Sequence, residues 1–236
     1  LHNRAARALA FPLGDRQWLP KLIVGGSVGL LLEALFVALG FLLTGELDLD
    51  ESLLAQAANF PALGFALATF QGALTAPHAD VMPSWRQWPT LCVKGLLLFV
   101  ITMAYEIVPL LFVISGFGLW VKGGTVLVLG GVLIMLGMLT GITIGFFLPM
   151  GIARYLSDRR LEAALHPLAS WSRIRNVLPE YGAAYLLSIG LLIAAGLIGA
   201  IPTLGAFVWP FLTFYLLVAS ARLFGEVCSD AEGRNA

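Results

Sequence analysis

LLLFVITMAYEIVPLLFVI, residues 96–114, is nineteen residues long and carries one charged side chain, Glu106. A helix needs about 20 predominantly apolar residues to cross roughly 30 Å of hydrocarbon. This stretch meets that length and reads as a transmembrane helix. Four more stretches read the same way: Leu22–Leu43, Thr125–Leu148, Gly182–Ile201 and Leu204–Phe224. A sixth, Leu53–Leu74, is weaker. It is alanine-rich, carries Gln56, Asn59 and Gln71, and has Pro61 within it. Alone it inserts poorly, but inside a bundle its small residues allow close packing. Composition agrees, with 59% hydrophobic and 12% charged residues. A soluble domain of this size usually carries about twice that charged fraction. The expected fold is all-α: one integral membrane domain over residues 1–236, a bundle of six transmembrane helices with short amphipathic interfacial helices.

The basic residues orient the chain. With the N-terminus inside, thirteen of the fourteen Lys and Arg residues fall in inner segments: Arg4, Arg7, Arg16, Lys21, Arg86, Lys94, Arg154, Arg159, Arg160, Arg173, Arg175, Arg222 and Arg234. The outer loops hold only Lys122. The first outer loop is acidic, with Glu46, Asp48, Asp50 and Glu51. Excess Lys and Arg marks the cytoplasmic side. The expectation is a multi-pass protein of a bacterial inner membrane with both termini cytoplasmic. The N-terminal apolar stretch begins too late and runs too long for a cleavable signal peptide. Leu1 is not an initiator Met, so a true N-terminus upstream is expected.

Three Trp-bearing segments precede pairs of spans: Phe11–Pro20, Met82–Pro89 and Trp171–Pro179. Trp prefers the headgroup level, Arg snorkels there, and Pro suits a helix start. Trp18, Trp85, Trp88, Trp171 and Arg154 are therefore expected as interfacial anchors. The similar lead-in segments suggest a weak threefold repeat. After span four the connector is amphipathic: Tyr155, Leu156, Leu161 and Leu165 alternate with Arg154, Asp158, Arg159, Arg160 and Glu162. Ser157 is the expected N-cap of a short surface helix ending at His166-Pro167.

Glu33 and Glu106 are the candidate functional residues. Each lies near the middle of a span, where an ionisable group facing lipid costs at least ~3 kcal/mol. A close pair of carboxyls would titrate as a unit and suit proton coupling. The structural alternative is a protonated Glu with a hydrogen-bond partner. For Glu106 that partner is a carbonyl freed by Pro109, such as that of Tyr105. Gly137, Gly141 and Gly145 recur every fourth residue on one helix face, as do Gly25 and Gly29. This spacing predicts close helix packing, with a groove for a lipid tail, pigment or partner helix as the alternative.

Reaction motifs are weak. Gly25-Gly26-Ser27-Val28-Gly29 fits a serine-hydrolase pattern, which needs a strand-to-helix turn rather than a membrane span. His2, His78 and His166 all lie in polar segments, which argues against mid-membrane haem ligation. Cys92 and Cys228 lie near the inner face, where a disulfide is not expected, and two cysteines make no metal site. Zero net charge, with no basic patch, argues against a nucleic-acid partner. We expect no enzyme activity, metal or cofactor.

At the lead-in segments the chain resembles a known family. The shared features are Phe11-Pro12, Trp18-Leu19-Pro20-Lys21-Leu22 and Gly25-Gly26; then Pro83-x-Trp85-x-x-Trp88 and Val93-Lys94-Gly95-Leu96. They continue with Ala153-Arg154-Tyr155, Leu161-Glu162-Ala163-Ala164, Pro179-x-Tyr181, Pro210-Phe211 and Leu223-Phe224-Gly225. In order and spacing these are similar to the domain-of-unknown-function 4013 family of polytopic bacterial and archaeal membrane proteins, from about Arg7 to Val227. The resemblance implies a six-helix membrane domain and no established activity or catalytic residue. Ser84 departs from it, standing where an acidic residue is common, and the basic residues usual near Gln71–Thr75 are missing. The expected role is a non-catalytic accessory or scaffold subunit whose partners are lipids and other membrane subunits. The alternative is a small proton-coupled carrier or channel using Glu33 and Glu106.

Overall fold

A computed structural model describes residues 2–44, 59–77, 81–201 and 204–233. Among these residues the chain forms ten α-helices and no strand. They are α1 (His2–Gly14), α2 (Trp18–Thr44), α3 (Phe60–Thr75), α4 (Trp88–Lys122), α5 (Leu127–Gly145), α6 (Leu148–Asp158), α7 (Leu161–Ala164), α8 (Pro167–Asn176), α9 (Leu178–Gly199) and α10 (Leu204–Gly233). The physical reason is the apolar composition. Where water is absent every backbone N–H and C=O must be satisfied within the chain, and a helix does this locally. Five helical segments are long and apolar enough to cross a membrane: Trp18–Leu39, Trp85–Lys122, Gly124–Asp158, Leu178–Gly199 and Phe207–Ala231. The fold is that of an all-α membrane protein.

The sixth apolar helix is shorter. At 16 residues α3 spans roughly 24 Å, less than a hydrocarbon core. The expected span from residue 53 begins outside the described residues. Pro61 is not inside this helix but in its first turn, where its missing N–H costs nothing. Asn59 caps it, its Oδ1 accepting from the Ala62 N–H at 3.2 Å. Conversely, α4 is 35 residues, about 52 Å, and overruns the expected span at both ends.

The connector after α5 departs from expectation. Ser157 is not an N-cap; it lies inside α6 and donates to the Ala153 carbonyl at 3.1 Å. Helical hydrogen bonding tightens at Phe147, whose N–H reaches the Ile144 carbonyl at 3.0 Å. Pro149 then stands in the first turn of a new amphipathic helix. That helix stops at Arg159, which adopts φ 56° and donates its N–H to the Tyr155 carbonyl at 2.8 Å. The polar register of the segment was legible, but the break at Phe146–Phe147, between Gly145 and Pro149, lies within an apolar run whose hydropathy does not mark it.

The chain divides into two compact units. Unit 1 comprises residues 1–99 and 176–236 and is organised on α10, against which α1, α2, α3 and α9 all pack. Gly25 and Gly26 face α10: a Cβ at either would collide with the ring of Phe214 or Phe211 at 2.3 and 2.1 Å. Gly29 follows on the same helix, 3.2 Å from the Pro210 side chain by the same measure. The closest approach joins α3 to α4. A Cβ on Gly64 would sit 1.7 Å from the Leu91 carbonyl oxygen, and one on Gly95 1.8 Å from that of Phe60. Phe11, Phe65, Met82, Leu91, Phe214 and Val218 close a core above this crossing.

Unit 2, residues 100–175, is a hairpin of α4 and α5 with the connector helices. Gly116 and Gly130 meet across it, each Cβ position 2.7 Å from the other's carbonyl oxygen. Near the connector, Tyr105 donates its hydroxyl to the Ala164 carbonyl and lies over Gly151.

Candidate functional site

Four settings of ionisable residues are candidates, three in unit 1 and one in unit 2. The first is centred on Asp15, in the turn between α1 and α2. Asp15 and Lys21 are 6% and 9% exposed, deep enough that either alone would be an uncompensated charge. Asp15 Oδ2 accepts from Lys21 Nζ at 2.7 Å and from the Met82 N–H at 2.9 Å, while Oδ1 accepts from the Gln17 N–H at 2.7 Å. Lys21 Nζ also donates to the Met82 carbonyl at 2.9 Å. Burial by itself would raise the Asp15 carboxyl. The Lys21 ammonium and the two backbone N–H donors outweigh it and hold the group below its ordinary value. The ring of Trp85 completes the setting. Its Nε1–H donates to the Lys21 carbonyl at 3.0 Å, and its face stacks on Phe65 with centroids 4.7 Å apart. Two lead-in segments that are far apart in sequence are thus locked to each other.

A second setting lies on α10. Arg222 Nε donates to Glu226 Oε1 at 2.8 Å, and both side chains are buried. The guanidinium lies 4.7 Å from the centre of the Phe11 ring and donates to the Pro77 carbonyl. Arg7 reaches Glu226 at 3.3 Å, and Arg4 pairs with Asp230. These contacts tie α1 to the end of α10, aided by the Tyr215 hydroxyl donating to the Leu9 carbonyl.

The third setting is Glu33 on α2, half-buried, with its Oε2 enclosed and without a hydrogen-bond partner among the described residues. The fourth is Glu106, in unit 2. It lines a groove of about 440 Å³ with Met103, Pro109, Gly137, Met138 and Gly141. A Cβ on Gly141 would stand 3.3 Å from Glu106 Oε2, so the absence of a side chain there makes room for the carboxyl. Gly137 faces the Pro109 carbonyl and Val113. Gly145, the last residue of α5, is half-buried. Glu33 belongs to unit 1 and Glu106 to unit 2.

The expected anchors divide. Trp88 begins α4 and is 62% exposed, and Trp171 on α8 is 41% exposed, its ring 6.4 Å from that of Phe147. Trp18 is half-buried and packs against the core of unit 1. Trp85 turns inward to the Asp15 setting. Arg154 Nη1 donates to the His166 carbonyl at 3.1 Å, bracing the connector. Cys92 and Cys228 form no disulfide among the described residues. Among the described residues no group of three His, Cys, Asp or Glu side chains is placed to hold a metal ion.

Sequence reading missed Asp15, the Arg222–Glu226 pair and the Gly64–Gly95 crossing. The pair had a signal, opposite charges four residues apart on one helix. Asp15 had a fainter one, an acidic residue within a basic inner segment.

No curated protein and no solved structure matches the chain. One family does, over residues 52–204. That span runs from before α3 to the first residue of α10. The motifs at Phe11-Pro12, Trp18–Leu22, Pro210-Phe211 and Leu223–Gly225 lie outside it, so the resemblance covers less of the chain than its motifs suggested. The matched residues make up more than half of the protein, which therefore belongs to the DUF4013 family, described as proteins of unknown function.

Proposed function

We propose that this chain is a non-catalytic accessory or scaffold subunit of a larger complex in a bacterial inner membrane, with both termini on the cytoplasmic side. The observation that carries the reading is the groove at Glu106. A carboxyl near the middle of a span takes no hydrogen bond from the described residues and stands in an otherwise apolar, glycine-floored trough. Such a group costs at least ~3 kcal/mol against lipid. A hydrogen-bonding side chain from a neighbouring helix removes that cost, and the missing side chains at Gly137 and Gly141 let such a helix approach. The orientation rests on the excess of Lys and Arg in alternate loops.

A photo-crosslinking residue at Met138, within the groove, tests this in native membranes. The expected product is one discrete heterologous adduct, absent when the same residue is placed at the exposed Leu186 of α9. Only diffuse lipid adducts at Met138 would count against a partner helix. The second reading, a proton-coupled carrier or channel, is favoured by the enclosed Oε2 of Glu33, which has no hydrogen-bond partner among the described residues. It predicts proton flux in proteoliposomes that Glu33→Gln abolishes.

A further inference from the structure

We infer that the cavity beside Lys21 and Arg86 is a binding site for the phosphodiester headgroup of an anionic phospholipid. The cavity, about 500 Å³, is lined by Gln17, Lys21, Val24, Ser84, Trp85 and Arg86. Its polar wall is made of donors. An ammonium has three N–H bonds, and Lys21 commits two, to Asp15 and the Met82 carbonyl. The third has no acceptor among the described residues. Arg86 is exposed and forms no ion pair with the described residues. The Gln17 amide and the Ser84 hydroxyl add neutral donors. Among the described residues no carboxylate lines the cavity. Asp15 stands behind Lys21 with both oxygens engaged, so the wall keeps the net charge of Arg86.

Another polar cavity of unit 1, at Arg7 and Arg222, has the Glu226 carboxylate directly in its wall, and both guanidiniums are already paired with it. Position selects a lipid over a soluble phosphate. The cavity lies where two membrane-crossing segments begin, at Trp18 and Trp85. Below it α2 exposes Ile23, Val24, Leu31 and Leu35, a track for an acyl chain. The polar head and the apolar track follow one another along a single helix, as a phospholipid requires.

Native mass spectrometry of the intact chain in neutral detergent tests the inference, with dioleoylphosphatidylglycerol and dioleoylphosphatidylcholine as probes. One phosphatidylglycerol is expected to be retained in preference to phosphatidylcholine. Arg86→Gln should weaken that retention roughly fivefold, the usual worth of one basic residue near an anionic headgroup. Arg159→Gln, on the connector, should leave it unchanged. Val24→Trp, which fills the cavity without altering charge, should also lower it. Equal retention of the two lipids, or phosphatidylglycerol occupancy unchanged by Arg86→Gln and Val24→Trp, would overturn the site. Displacement by millimolar inorganic phosphate with no lipid preference would overturn the lipid assignment in favour of a soluble anion.

Discussion

Replacing Asp15 by Asn keeps the shape of the side chain and removes its charge. The ammonium of Lys21 is then left 9% exposed with the Met82 carbonyl as its remaining partner. The amide oxygen can replace only part of what two carboxylate oxygens accept from Gln17, Met82 and Lys21. Breaking one half of a buried ion pair costs about 3–5 kcal/mol, because a buried charge is left uncompensated. In a chain of this size that corresponds to a fall of roughly 6–20 °C in the unfolding midpoint. The assay is thermal unfolding in one fixed detergent, followed by far-ultraviolet circular dichroism. The double variant Asp15→Asn with Lys21→Met removes both charges and should recover at least about 1.5 kcal/mol of the loss, since buried pairs replaced together are often near neutral. An Asp15→Asn midpoint within about 1 °C of wild type, or a double variant as unstable as the sum of the two singles, would refute the idea that this pair locks the two lead-in segments.

The same site has a pH signature. Its folded-state acidity lies below the ordinary value of 3.8, so its contribution is fully present above about pH 4 and is lost as the pH falls through the lower folded value. Between pH 5 and pH 3 the wild-type midpoint should drop more steeply than that of Asp15→Asn. Gly95→Ala should cost about 3 kcal/mol or more, at the upper end for overpacking, because its Cβ meets backbone rather than a movable side chain. Gly72→Ala, in the same helix as Gly64 but with open space around it, should be neutral or stabilising in the same unfolding assay. Arg159→Gly should stabilise by roughly 0.5–1 kcal/mol, measured as a midpoint rise, because it relieves a left-handed backbone at an exposed position.

The long apolar helices were legible because membrane insertion is written locally: each residue contributes its own transfer cost over a window of fixed length. Their ends were less so. α4 runs on to Lys122 and α6 begins at Leu148 because of helix continuation and a local break, neither of which changes hydropathy much. Glu33 and Glu106 could be picked out by depth, but what each faces could not, since that depends on which helix lies opposite. Gly25 and Gly29 were found by their spacing, and Gly64 and Gly95 were missed because neither belongs to a four-residue glycine repeat. Their significance lies in their meeting each other. Asp15 was hidden for a similar reason: its acceptor role is completed by the backbone of Met82, 67 residues away.

The proposed role as a subunit is tested most directly by extracting native membranes in a gentle detergent, sizing the particle that contains this chain, and identifying the other chains in it. The account predicts a particle of fixed stoichiometry that contains at least one other membrane protein and survives a second purification step. A lone monomer or homodimer, with no other chain in constant ratio, would contradict it and turn attention to Glu33 and proton flux.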